Sequence, residues 1–186
     1  AVSFNHLTAD NLAIVDSGST ITGNGLLIEA VTKDDGHNDI MAWGASAAGG
    51  QGDAGAAGSA AINVVYFGTE AAAREGSTLL STDALTVTAE NDLRLQQLAV
   101  GGGFSTGDAG VGASVVIALV GGRDFDGNPA TDDPMTTASI AGTADATGAL
   151  SITAETTLGP ALFHEQLLKK DIDLSITSMA IAGGAT

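Results

Sequence analysis

Apolar and polar residues alternate with a period of two through several short stretches of this 186-residue chain. Leu85, Val87 and Ala89 fall on one side of an extended segment, and Thr86, Thr88 and Glu90 fall on the other. Leu93-Arg94-Leu95 repeats the alternation, while Ala13-Ile14-Val15, Leu26-Leu27-Ile28, Ile40-Met41-Ala42-Trp43 and residues 60–65 form further short apolar runs. Gly, Asp, Asn and Ser separate these runs. The pattern predicts β-strands of about five to seven residues joined by tight turns.

The runs recur. Residues 52–62 return as residues 107–117, Ala84 to Glu90 returns as Ala149 to Glu155, and Leu98 to Gly103 returns as Met179 to Gly184. Self-similarity at a long period, built from short alternating runs, is the signature of a repeat architecture. The units span approximately 12–68, 69–136 and a truncated 137–186, after a lead-in to Asn11 with no evident counterpart. Two insertions interrupt the pattern, at residues 123–134 and 158–170. In the second, Leu162, Phe163, Gln166, Leu167 and Lys170 have helical spacing, with Pro160 ahead and two Lys at the end, which predicts a short helix.

The expected fold is all-β: a right-handed parallel β-helix spanning residues 1–186 as a single unit with loop insertions. Coils of about 20 to 25 residues would place two or three in each repeat. Leu85, Val87, Leu150 and Ile152 should then point inward in stacked rows. An antiparallel β-sandwich is the rival, since short strands with turn signals fit it as well. The chain reads as a segment of a longer repetitive protein.

Composition narrows the classes of partner. Six Lys plus Arg against 22 Asp plus Glu give a net charge of −16. This opposes nucleic-acid binding, which requires a positive surface, and opposes attachment to anionic membranes. No apolar run is long enough for a membrane helix. Cysteine is absent, so neither disulfides nor thiolate metal sites exist.

The densest group of oxygen ligands is Asp124, Asp126 and Asn128, followed by Asp132 and Asp133, around the turn at Gly127. Alternating oxygen side chains can wrap a hard cation such as calcium, although the glycine and glutamate positions of an EF-hand are not met. Asp34, Asp35, Asn38 and Asp39 form a sparser group of the same kind. Gly49-Gly50 and Gly101 to Gly103 lack the Lys-Ser/Thr of a phosphate cradle and read as turns. His6, His37 and His164 lie in no nucleophile-elbow context and read as surface residues. Trp43, the only Trp, occupies the repeat position of Leu98 and reads as a core or cap residue. Thr20-Ile21-Thr22, Thr86-Val87-Thr88 and Ser151-Ile152-Thr153 read as strand filler, too scattered for an ice-binding array.

Leu85-Thr86-Val87-Thr88-Ala89 and Gly110-Val111-Gly112-Ala113-Ser114-Val115, with their counterparts, resemble the repeat regions of large secreted bacterial adhesins, the filamentous-haemagglutinin and leukotoxin-like exoproteins. The resemblance covers most of the chain from Leu12 to Ala182. It implies a secreted or cell-surface β-helical shaft without catalytic residues, attaching to a glycan or protein on a host or neighbouring cell. A carbohydrate-active β-helix, acting as a lyase or hydrolase, and a calcium-stabilised binding module are the alternatives. Open coil ends expose strand edges, so end-to-end self-association is also expected.

Overall fold

A computed structural model describes residues 1–32, 38–51, 54–107, 109–123, 129–130, 136–160 and 176–184. The structure is all-β among these residues. A first layer contains β1 (Val2–Val15), β2 (Thr20–Gly23), β3 (Leu26–Val31) and β4 (Asn38–Gly50). The second contains β5 (Ala54–Ala73), β6 (Thr78–Ser81) and β7 (Leu85–Ser105). The third contains β8 (Ala109–Arg123), β9 (Pro129–Ala130), β10 (Thr136–Ile140), β11 (Thr143–Ala146), β12 (Leu150–Pro160) and β13 (Ile176–Gly184). The predicted helix falls in residues 161–175, outside the described residues.

Strands pair between layers, each with its counterpart one repeat away, and form three sheets. β5 lies between β1 and β8, with β10 extending the ladder; β6 lies between β2 and β11; β7 pairs with β3, β4, β12 and β13. Every described ladder is parallel except the short contact of β8 with β9. The antiparallel sandwich is therefore not the arrangement found.

Register places like on like. Leu26, Leu85 and Leu150 form one column, Ile28, Val87 and Ile152 the next, and Ala30, Ala89 and Ala154 a third. Three differences from the sequence reading follow from the pairing. Each repeat supplies one layer rather than two or three coils, because its strands run to 20 and 21 residues, far beyond five to seven. The lead-in is not an orphan: Val2 to Asp10 pairs with Ala60 to Gly68. In the third layer β12 continues to Pro160, opposite Leu95, so the second insertion begins later. Beyond it Met179 lies opposite Val100 rather than Leu98.

Layers are tied at the corners as well as along the strands. Gly18 and Gly76 take positive φ of 78° and 81°, which a side chain disfavours, and the Gly18 amide donates to the Gly76 carbonyl at 3.0 Å. The Thr78 amide donates to the Ser19 carbonyl at 2.8 Å, and Leu85 donates to Ala149 at 2.9 Å.

The core follows the alternation of the long strands. Along β7 the inward row is Leu85, Val87, Ala89, Asn91, Leu93, Leu95, Gln97 and Ala99, all buried. Leu79, Ala71 and Ala73 pack against its first members, while Val65 and Phe67 pack against Leu93 and Leu95. Leu150 and Ile152 share these columns but are not enclosed. They are 55% and 47% exposed, where Leu85 and Val87 are 0%. In the first layer Ile28 and Ala30, also paired on one side only, are buried, so the loss of cover is confined to the third layer and identical register yields opposite burial.

That asymmetry is measurable. Leu85→Ala should cost roughly 2–5 kcal/mol in denaturant unfolding, as a fully buried leucine does. Leu150→Ala, in the same column, should cost about 1 kcal/mol or less.

Candidate functional site

Each long strand changes character partway along. In β7 the inward residues beyond Leu95 shrink to Gln97, Ala99, Gly101, Gly103 and Ser105. The facing row of β5 shrinks in the other direction, from Phe67 and Val65 through Asn63, Ala61 and Ser59 to Ala57 and Gly55. The two sheets converge here until main chain meets main chain. A Cβ built on Gly103 would lie 2.1 Å from the Val111 carbonyl oxygen and 2.6 Å from that of Gly55. One on Gly101 would lie 2.1 Å from the Ala113 oxygen, and one on Gly55 the same distance from that of Phe104. Sheets ordinarily face each other across about 10 Å of side chains; here glycine removes that filling.

Thus Gly101 to Gly103 are not a turn, as their composition suggests, but extended strand in the tightest contact of the fold. Ser46 Oγ donates across the gap to the Gly58 carbonyl at 2.6 Å. A belt of buried amides separates this thin region from the aliphatic core. Asn5 Nδ2 donates to Asn63 Oδ1 at 2.9 Å, and Gln97 Nε2 donates to the Ile117 carbonyl at 2.6 Å. Each buried amide spends part of its hydrogen-bonding capacity on the adjacent layer, which penalises any slip in register.

With small residues inside, the alternation places the large apolar ones outside. Along β8, Ala109, Val111, Ala113, Val115, Ile117 and Leu119 face outward, with Val111 56% exposed. Register extends the row across the sheet into columns Val2–Ala60–Val115, Phe4–Ile62–Ile117 and His6–Val64–Leu119. Strand spacing and rise give this patch an area on the order of 400 Å², the size of the largest apolar patch on an ordinary monomer, which is often functional. The opposite outer face carries Met41, Phe104 and Trp43, whose neighbours in register include Leu98 beside Trp43 and Val100 beside Ala45.

No Asp, Glu, Lys or Arg occurs in residues 40–50, 54–69, 96–107 or 109–122. In a chain of net charge −16, this blade is a neutral, greasy projection from an acidic body. Hydropathy alone could not find it, because the same alternation reads as an ordinary buried strand. The signal is the company of Val111: Gly110, Gly112 and Ser114 at the inward positions around it.

The residues singled out from the sequence fall elsewhere. Asp124, Asp126, Asn128 and Asp132, with Asp133, lie outside the described residues, as do Asp34, Asp35, His37 and His164. Asp39 is exposed at the start of β4, and Asn38 Nδ2 donates to Asn91 Oδ1 at 3.2 Å. His6 makes an edge contact with Tyr66, ring centroids 6.3 Å apart. Trp43 does lie beside Leu98, but on the outer face and 49% exposed, so the expected core role is wrong. Thr86 and Thr88 align with Ser151 and Thr153, but Leu27 and Glu29 fill those columns in the first layer and no threonine array forms. Glu90 and Glu155 are the acidic side chains that the ladders bring into register, on an exposed sheet face. No group of three His, Cys, Asp or Glu suited to a metal occurs among the described residues. Compared with protein-family models, curated proteins and solved structures, the chain matches none.

The closeness of the two sheets has a direct test. Gly103→Ala should lower unfolding free energy by ~3 kcal/mol or more, since backbone must move to admit the methyl group. Gly49→Ala, with nothing within 4 Å of its added Cβ, should leave stability unchanged or raise it by up to ~1 kcal/mol. Thermal and denaturant unfolding followed by circular dichroism would distinguish the two.

Proposed function

We propose that the chain is a non-enzymatic structural and adhesive segment of a secreted or cell-surface bacterial protein, folded as a right-handed parallel β-helix. The observation that carries this reading is the blade: a rigid, charge-free double sheet that turns its apolar side chains toward solvent. Its interior, mostly Gly, Ala and Ser with Val116 at the amide belt, is closed without the large outward residues. They are available for a partner. A flat apolar face suits a protein surface on a host or neighbouring cell better than a glycan, whose hydroxyls demand hydrogen-bonding groups.

The parallel ladders support the scaffold part of the reading. Each repeat seats its strands on the preceding one, and the outer face then repeats at every layer, which multiplies a weak contact into an avid one. The resemblance to haemagglutinin-like adhesin repeats points the same way. Carbohydrate cleavage gains no comparable support, since Glu90 and Glu155 sit on an open sheet without the aromatic platforms such enzymes use.

Beads coated with the chain should adhere to cultured cells or to protein-coated surfaces. Val115→Asn with Ile117→Asn should reduce adhesion at least about tenfold, as loss of a central apolar contact does, while the circular dichroism spectrum stays unchanged. Adhesion that survives the double substitution removes the blade from the contact. Release of unsaturated or reducing sugar from acidic polysaccharides would replace the adhesive reading with the enzymatic one.

A further inference from the structure

Asn24 is the only asparagine in the sequence followed by glycine. Asn5, Asn11, Asn38, Asn63 and Asn91 lie in strands, whereas Asn24 sits in the bend that joins β2 to β3. It is exposed at the side of the layer stack and not at its end. Thr82 and Asp83 occupy the same corner of the second layer, which has a paired layer on each side, and they are exposed as well.

Three features of this corner bear on the Asn24 side-chain amide. Gly25 takes a φ of 84°, and a Cβ added there would meet nothing closer than the Ala84 carbonyl oxygen at 4.0 Å, so no side chain crowds the main chain. The Gly25 amide donates to Ser81 Oγ at 3.2 Å, and that hydroxyl also accepts from the Asp83 amide at 3.3 Å. A long bond to a shared, neutral acceptor restrains the Gly25 nitrogen only weakly. Finally, Thr82 Oγ1 donates to Asn24 Oδ1 at 3.2 Å. This hydroxyl polarises the side-chain carbonyl and stands where negative charge develops on Oδ1 when a nucleophile adds to Cγ.

We propose that Asn24 is a site of self-modification, converting to aspartate through a cyclic imide without an enzyme. Hydroxide or water takes the Gly25 amide proton, and Gly25 N adds to Asn24 Cγ while Thr82 Oγ1 stabilises the charge on Oδ1. The bond from Cγ to Nδ2 then breaks, ammonia leaves and the imide ring closes. Water opens the ring. Addition at Cγ breaks the new bond to Gly25 N and gives aspartate. Addition at the Asn24 main-chain carbonyl carbon breaks the original peptide bond and gives isoaspartate, with the main chain routed through Cβ and Cγ. The net reaction consumes water and releases ammonia, so no other reactant is required.

The corner also selects between the products. The Thr82 amide holds the Gly23 carbonyl at 3.0 Å, and the Leu26 amide holds to the Ala84 carbonyl at 2.9 Å. A main chain lengthened by a methylene between these two ties strains them, which favours aspartate over isoaspartate in the folded protein. Thr82 Oγ1 then bonds a carboxylate, a stronger acceptor than an amide. The inference uses neither the apolar blade nor the adhesive role.

Peptide mapping by mass spectrometry of the full chain, held at neutral pH and body temperature, follows the conversion. Acid should accumulate at position 24 ahead of every other asparagine. The ratio of aspartate to isoaspartate should be higher in the folded chain than in the same chain unfolded in guanidinium chloride. Thr82→Val should slow the folded chain roughly three- to tenfold, the rate equivalent of one neutral hydrogen bond. Thr82→Ser should retain the original rate, and neither substitution should alter the rate in guanidinium. Circular dichroism establishes folding, and Thr82→Ala replaces Thr82→Val if the latter does not fold. An Asn24 that persists in the folded chain while converting in guanidinium, another asparagine that converts first, or a Thr82→Val effect of equal size in guanidinium overturns the proposal.

Discussion

Parallel, in-register pairing between repeats is the constraint on which everything else in this structure depends. A parallel ladder seats each residue beside its counterpart one repeat away, so whatever one layer places inside, the next must also place inside. Leucine therefore stacks on leucine at position 85, and glycine or another small residue stacks on glycine at position 103. A slip by one residue would turn Leu85 and Leu93 into solvent and drive Thr86 and Arg94 inward. The buried amides of Asn63 and Gln97 reinforce this, since each bonds to a specific atom in the neighbouring layer.

Within that constraint the chain solves two packing problems in one strand. Near the corners, sheets stand apart around leucine, valine and phenylalanine. Beyond the amide belt they close onto each other, and the polarity of the two faces inverts. The inversion has a simple cause: the distance between sheets is set by the largest inward side chain, and where that is a methyl group or less, no bulky residue has anywhere to go but outward. An outward apolar row is thus a consequence of the thin interior as well as a surface available to a partner.

Legibility in the sequence followed the same division. The repeats, the all-β class and the inward row from Leu85 to Ala89 are readable, because apolar and polar residues alternate there in the ordinary sense. The Gly101 to Gly103 stretch reads as a turn because glycine usually ends strands, and nothing local distinguishes a turn from a close sheet contact. Glycine within β5 and β7 likewise makes each long strand look like several short ones. Trp43 reads as a core or cap residue because Leu98 is its repeat partner, but their column lies on the outer face. The lead-in keeps one identical residue, Asn5 against Asn63, too sparse to align without knowing the register. Leu150 is exposed although Leu85 in its column and Ile28 in the other outer layer are buried, so burial depends on packing within the third layer, which a column cannot encode.

The length of chain spent on each layer sets the mechanics of any longer stack. One repeat of more than 50 residues advances the axis by a single strand spacing, about 4.8 Å. A chain built this way gains height slowly and girth quickly. Resistance of a beam to bending rises steeply with its width, so residues that add nothing to reach add greatly to rigidity. Such an object resembles a pillar more than a tether: it would hold a broad wall of side chains still against shear, at a nearly fixed distance from whatever anchors it.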